Sequence, residues 1–249
     1  MSESVRMWEP QADLGSPPVG MQEPVDLYID DQPVTAPAGT SIMRAAMSAG
    51  IPVPKLCATD QLDSYGSCRV CLVEVEGRKG LPASCTTPVE AGMRVRTRTD
   101  QIDRVRRNVV ELYVADHPLD CMSCAADGDC ELQNVARDTG VTDSRYRLIT
   151  TSAGTPVDES NPYFNFDPSL CIHCARCVRA CEDIQGTYAL TMAGRGIDSE
   201  VSVGDAESFF ASDCVSCGAC VTSCPTGALI EKGVVEQGRP DRVVDTTCA

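Results

Sequence analysis

An α+β protein divided among several small modules is the fold class this sequence predicts, and three observations carry that expectation. The 249 residues hold 16 cysteines but only one Trp, six Tyr and four Phe, too little large apolar mass for one extensive core. Fifteen of the cysteines and one of the two histidines fall into four successive sets with the short spacings of metal ligands. Strand-like alternation and helix-like periodicity occur only in short stretches, separated by Gly, Pro and cysteine loops. Small modules bury too little surface to fold alone, so metal ligation is expected to contribute much of the folding free energy and the metal-free chain to be largely disordered.

Residues 1–23 are polar and rich in Pro and Gly, and read as a flexible leader. Val25 to Asp30 alternates as a strand, Asp31-Gln32-Pro33 turns it, and Thr40 or Ser41 can cap a helix that Gly50 stops. Cys71 to Glu76 and Leu81 to Cys85 read as a hairpin around Gly77-Arg78-Lys79-Gly80. Strand, strand, helix and cysteine loop suggest a β-grasp fold over residues 24–99. Its Cys57, Cys68, Cys71 and Cys85 have the central C-x2-C and distant fourth cysteine of a 2Fe-2S site. The gap of ten residues before Cys68 excludes the plant-type arrangement, whose first gap is shorter.

Over residues 100–143, a helix from about Gln101 to Asp116 is expected, with Ile102, Val105, Val109 and Leu112 on one face and Pro118 halting it. His117 then emerges at the helix end, ahead of Cys121, Cys124 and Cys130, in the pattern H-x3-C-x2-C-x5-C. This is the set for a 4Fe-4S cluster held by one histidine and three cysteines. Replacing one thiolate by an imidazole removes a negative charge and makes such a cluster easier to reduce. Residues 144–163 read as a connector.

Residues 164–230 carry two complete C-x2-C-x2-C-x3-C runs, Cys171 to Cys181 and Cys214 to Cys224, the second followed by Pro225. A short loop can place three thiolates on one face of a cubane, and the fourth must come from elsewhere. In two-cluster ferredoxins the fourth cysteine of each run serves the other cluster. On that pattern Cys171, Cys174, Cys177 and Cys224 serve one 4Fe-4S centre, and Cys181, Cys214, Cys217 and Cys220 the other, in a double-cluster ferredoxin-like domain. His173 is expected beside a cluster and not as its ligand. Arg176 and Arg179 could raise a nearby potential by their charge, although arginines on a helix surface are usually solvated. Residues 231–249 lead away as a linker.

Disulfides and zinc are the competing uses of so many cysteines. No signal peptide and no membrane-length apolar run is visible, so a reducing cytoplasm, which disfavours disulfides, is expected. Cys68-x2-Cys71 and Cys121-x2-Cys124 alone would fit zinc ribbons, but beside two ferredoxin-type runs they read as cluster ligands. The formal charge of -15 argues against nucleic acid or anionic lipid as partner. The basic stretch Arg94, Arg96, Arg98, Arg104, Arg106 and Arg107 reads as a solvated strand and helix.

The order of these sets resembles the N-terminal part of the complex I large iron-sulfur subunit and its relatives: iron-only hydrogenases, diaphorase subunits of NAD-reducing hydrogenases, and α subunits of NAD-dependent molybdenum- or tungsten-containing formate dehydrogenases. The resemblance covers nearly everything after the leader. The complex I subunit usually keeps ligands for one cubane in the third region, where this sequence has two complete runs. Iron-only hydrogenases share all four sets but carry their catalytic cysteines in a long domain this sequence lacks. In formate dehydrogenase α subunits a short linker after the second run leads to a Thr-Thr-Cys that opens another cluster motif, and Thr246-Thr247-Cys248 resembles that opening.

The resemblance implies one 2Fe-2S and three 4Fe-4S clusters, with Cys248 the first ligand of a further 4Fe-4S cluster beside a molybdenum or tungsten bis-pterin centre in a continuation of the chain. It implies a β subunit binding FMN and NAD, a small 2Fe-2S γ subunit, and no catalytic residue within these 249 positions. Formate would be oxidised at the pterin centre and electrons passed singly to the flavin. The alternatives are a diaphorase or electron-input subunit of a hydrogenase or complex I-like NADH dehydrogenase, a stand-alone multi-cluster ferredoxin, and a zinc-bound structural module.

Overall fold

The computed structural model describes residues 13–146 and 155–238. Strands β1 (Pro24–Ile29) and β2 (Gln32–Pro37) pair antiparallel, with Leu27 opposite Val34 and Ile29 opposite Gln32. The turn is Asp30-Asp31 and not Asp31-Gln32-Pro33. Both aspartates have positive φ, 48° and 62°, the two-residue reversal whose hand matches the strand twist. Pro33 lies instead in β2, at the sheet edge, where a missing N–H costs least.

Ser41 caps helix α1 (Ile42–Ser48) by accepting a hydrogen bond from Arg44 N at 3.0 Å, and Gly50, at φ 77°, follows its end. Ile42, Met43, Ala45 and Ala46 are buried in one core with Leu27 and Ile29. Strands β3 (Glu74–Val75) and β4 (Arg94–Arg96) complete a mixed sheet in the order β2-β1-β4-β3, with β4 parallel to β1. The expected hairpin forms only in part. Leu72 bridges Ala83, but β3 ladders with β4, where Val75 meets Val95. The segment after Gly80 turns inward and carries Cys85 to Cys71.

Helix α2 (Asp100–Ala115) is capped by Thr99 and has a different buried face from the one its periodicity suggests. Ile102, Arg106, Val110 and Val114 face inward, whereas Leu112 is 56% exposed. Arg106 causes the rotation. Its guanidinium, 1% exposed, donates to the carbonyls of Val70, Leu72 and Thr97 at 2.9, 3.0 and 3.2 Å. The basic stretch is therefore not wholly solvated: Arg94 and Arg96 are exposed, but Arg106 is a core residue. Helix α3 (Glu131–Thr139) ends on Gly140 in the left-handed conformation. Val110, Val114, Leu132 and Val135 share one apolar cluster with Leu56 and Val70 from the sheet module and Ile172 from the region beyond.

Within the segment expected to be a flexible leader, residues 13–16 are held by contacts to the sheet module, while residues 20–23 are exposed. Asp13 accepts hydrogen bonds from Gly15 N, Asp60 N and Lys55 Nζ, each at 2.9 Å, and Ser16 is buried with its Oγ 2.6 Å from Ser41 Oγ. In sequence this short polar segment looks unanchored because its anchors at Ser41, Lys55 and Asp60 lie 25 to 47 positions away.

The remaining elements are β5 (Phe164–Phe166), α4 (Arg176–Arg179) running on into a wider helical turn at Ala180–Gln185, β6 (Thr191–Ala193), β7 (Glu200–Ser202), α5 (Ala219–Ser223), β8 (Leu229–Glu231) and α6 (Lys232–Gln237). β5 pairs antiparallel with β8, Phe166 opposite Leu229, and β6 with β7. Phe209 packs edge-on against Phe164 and Phe166, with ring centroids 5.0 and 5.9 Å away. Among the described residues no helix is long and apolar enough to cross a membrane.

Candidate metal centres

Cys57, Cys68, Cys71 and Cys85 are all buried at one edge of the sheet module. Cys71 and Cys85 lie 3.4 Å apart sulfur to sulfur, and Cys68 N approaches Cys57 Sγ at 3.5 Å. Arg69, at φ 55°, bends the loop between Cys68 and Cys71. The thiols hydrogen-bond among themselves. Bonds from Cys68 and Cys85 pull the Cys57 thiol far down, and Cys85 draws Cys71 down to about 7. Hydrogen bonding to these partners and burial push Cys68 and Cys85 far up. Without a cation only part of this set can ionise, whereas iron would stabilise four thiolates together, so the donor set fits a cluster.

His117 leaves α2 just before Pro118 and lines a hollow of about 640 Å³ with Cys121, Cys124 and Cys130. Burial lowers the imidazole pKa, which favours the neutral form, and Nδ1 is buried with no hydrogen-bond partner. An unsatisfied nitrogen in a neutral ring is what a metal ligand requires. Burial also raises the Cys130 thiol. Gly227 forms part of the wall: a Cβ there would stand 3.1 Å from Ala126 Cβ and 3.3 Å from Cys124 Sγ.

Cys171, Cys174, Cys177 and Cys224 line one narrow cavity, floored by Phe166 and Leu229. Cys181, Cys214, Cys217 and Cys220 line another against Phe164 and Phe209. The fourth cysteine of each run thus sits with the first three of the other. The two loops also repeat one backbone plan. His173 and Ser216 are left-handed (φ 52° and 56°) and turn their N–H groups to 3.4 Å from Cys171 Sγ and Cys214 Sγ. Ala175 and Gly218, also left-handed, start the helices that carry Cys177 and Cys220. Burial pushes Cys171 up to about 11 and Cys174 and Cys220 up to about 12. Those three thiols would be neutral without metal and thiolates with it. Among the described residues no group of three or more His, Cys, Asp or Glu forms a site for a single metal ion; the sulfurs surround cavities. Cys248 lies outside the described residues.

Two functional candidates depart from their expected setting. Arg176, expected on a solvated surface, is 2% exposed. It donates to Glu131 Oε1 and Oε2 at 2.6 and 2.8 Å, to Ala58 O at 2.7 Å and to Ser223 O at 3.3 Å. Arg179 donates to Asp63 O at 2.6 Å and Cys57 O at 2.7 Å, and its guanidinium lies 5.3 Å from the centre of the Tyr65 ring. No local signal could have revealed either network, since every partner is at least 45 positions away.

Small α+β modules wrapped round thiol-lined cavities define a class of iron-sulfur cluster-binding proteins, and comparison with known families agrees module by module. Residues 22–100 match a 2Fe-2S iron-sulfur cluster binding domain, residues 106–145 the NADH-ubiquinone oxidoreductase-G iron-sulfur binding region, and residues 170–228 a 4Fe-4S dicluster domain. The NADPH-Fe(3+) oxidoreductase subunit alpha of Geobacter sulfurreducens is 37% identical over 216 residues, 87% of this chain and 25% of that protein. The mitochondrial NADH-ubiquinone oxidoreductase 78 kDa subunit of Candida albicans is 34% identical over 87% of this chain and 30% of its own length. A chain of the NAD+-reducing [NiFe]-hydrogenase, solved in the H2-reduced state, superposes with a TM-score of 0.79 at 31% identity, covering 88% of this chain and 92% of that one. The chain belongs to the family formed by the 2Fe-2S/4Fe-4S N-terminal region of NADH-quinone oxidoreductase-G proteins and the NAD-reducing hydrogenase-like subunits. It spans 25% and 30% of the length of the two curated relatives described.

Proposed function

We propose that this chain is the electron-transfer arm of a larger NAD(P)-linked oxidoreductase, joining a flavin- and NAD-binding partner subunit to a second redox site. The observation that carries this reading is the gathering of fifteen cysteines and His117 into four separate groups, three lining cavities and one a buried cluster of contacting thiols. Cys57, Cys68, Cys71 and Cys85 would hold a 2Fe-2S cluster on a β-grasp module. His117, Cys121, Cys124 and Cys130 would hold a 4Fe-4S cluster, as would each of the two ferredoxin-like sets. Bound clusters supply one-electron redox steps between two-electron partners. The chain's own residues do the rest: buried apolar walls exclude water, thiols and imidazole ligate, and the amides of His173 and Ser216 donate towards ligand sulfurs.

The more specific reading is an NAD-dependent formate dehydrogenase, with a molybdenum or tungsten bis-pterin centre in a continuation of the chain and FMN and NAD on the β subunit. It is supported by the two complete ferredoxin-type runs and by the resemblance of Thr246-Thr247-Cys248 to the start of another cluster motif. A hydrogenase diaphorase is the second reading, favoured by the likeness to the [NiFe]-hydrogenase chain. Anaerobic purification of the native complex separates them. The general proposal expects about fourteen iron atoms per chain, from one two-iron and three four-iron centres; zinc in their place would overturn it. Molybdenum or tungsten with formate-dependent reduction of NAD+ would establish the first reading, and nickel with hydrogen uptake the second.

A further inference from the structure

Arg176 stands where the three modules meet. It lies on the helix between Cys174 and Cys177, yet its two terminal nitrogens reach Ala58, one residue after Cys57; Glu131, one residue after Cys130; and Ser223, one residue before Cys224. All three acceptors are next in sequence to a candidate cluster ligand. Glu131 in turn lies 3.6 Å from Lys55 Nζ, which pairs with Asp13 at 2.9 Å. The result is a chain of alternating charge, Arg176, Glu131, Lys55 and Asp13, whose positive end is buried. The Nε of Arg176 is itself buried with no hydrogen-bond partner.

A buried cation is costly to desolvate unless its partners are well placed, and here one side chain is shared by three modules beside the apolar cluster that joins Leu56, Val110 and Ile172. The residue opens the helix that carries Cys177, two positions after Cys174, so it neighbours two candidate ligands of one cubane in the chain. Positive charge near a cluster favours the reduced form and raises its potential.

We propose that Arg176 is a positioning residue with two tasks: its fork clamps the three modules so that their pockets keep fixed separations, and its charge, balanced by Glu131, sets the potential of the cluster held by Cys171, Cys174, Cys177 and Cys224. This rests on the electron-transfer reading above. Clamping needs the planar five-donor geometry of arginine, whereas the electrostatic task needs only a positive charge. Lysine therefore separates the two tasks.

The test is a redox titration of each cluster by electron paramagnetic resonance in the anaerobically isolated complex, alongside limited proteolysis, for the wild type, Arg176→Gln, Arg176→Lys and Glu131→Gln. The midpoint of the Cys171/Cys174/Cys177/Cys224 cluster should fall in Arg176→Gln, rise in Glu131→Gln and stay near wild type in Arg176→Lys. Arg176→Lys and Arg176→Gln should both be cut faster than wild type. A purely structural role predicts that both opposite-charge variants shift the midpoint in one direction or neither, and either result overturns the electrostatic half. Equal proteolysis in wild type and Arg176→Lys overturns the clamp. If Arg176→Gln fails to accumulate with full iron, Glu131→Gln alone decides, an unmoved midpoint counting against the proposal. Absence of cluster signals in the wild-type complex would instead defeat the electron-transfer reading.

Discussion

At the level of single residues, the site chemistry turns on burial. Thiols pushed up to about 11 at Cys171 and about 12 at Cys174 and Cys220 are protonated at neutral pH. Each must give up a proton to ligate iron. Reconstituting metal-free protein in weak buffer should therefore acidify the solution by about one proton for each ligating thiol that burial keeps protonated, with uptake tightening as pH rises and weakening as it falls; iron uptake without proton release would contradict the assignment. Gly227 makes a second case. It shows no positive φ, so its value is space: a Cβ would press on Ala126, Cys124 and Leu170 at 3.1, 3.3 and 3.4 Å. Gly227→Val should cost about 1–3 kcal/mol through overpacking and reduce iron in the His117 pocket, visible as a lower melting temperature and a weaker cluster signal. In sequence this glycine is one of 19 and carries no mark of its own. The crowding around it comes from Cys124 and Leu170, which are far away in the chain.

Among the elements, starts and stops are legible in the sequence, faces less so. β1, α1 and α2 begin and end within a residue or two of the positions that alternation, capping hydroxyls and Gly50 indicate. These signals act within one turn or one hairpin. The face of α2 escapes them because periodicity ranks apolar side chains and treats arginine as solvent-facing. Arg106 instead supplies donors to three carbonyls of the cysteine loop and the strand beside it. Arg106→Ala would strand those acceptors and leave a cavity, with an expected loss of about 3 kcal/mol or more. Denaturant unfolding of the iron-loaded protein would show it, and the 2Fe-2S signal should be lost first because Val70 and Leu72 flank Cys71. A loss below about 1 kcal/mol, the worth of a typical hydrogen bond, would mean the guanidinium is replaceable there. The partly formed hairpin at Gly77–Gly80 follows the same logic: β3 joins β4 because Val75 and Val95 are buried together, and the return segment is left to deliver Cys85.

At the scale of the molecule, the described residues form three small apolar clusters in place of one large core, and cysteines belong to each of them. Stripping iron anaerobically with a chelator should therefore loosen all modules together, seen as loss of far-ultraviolet ellipticity and rapid proteolysis of residues 24–231. Persistence of a protease-resistant, fully structured metal-free chain would show that the apolar clusters suffice. The order of residues, taken alone, already specifies which side chains stand at which intervals: the four thiol sets, the histidine ahead of one of them, the caps and the strand alternation. These are short-range properties, set by backbone geometry and by the reach of one loop around a cavity. Folding in three dimensions is what buries Arg106 and Arg176, brings Gly227 to Cys124, holds Asp13 against Lys55 and Asp60, and closes β5 on β8. Each of those depends on which distant segments come together, and burial of a charge or the crowding of a glycine exists only once they have.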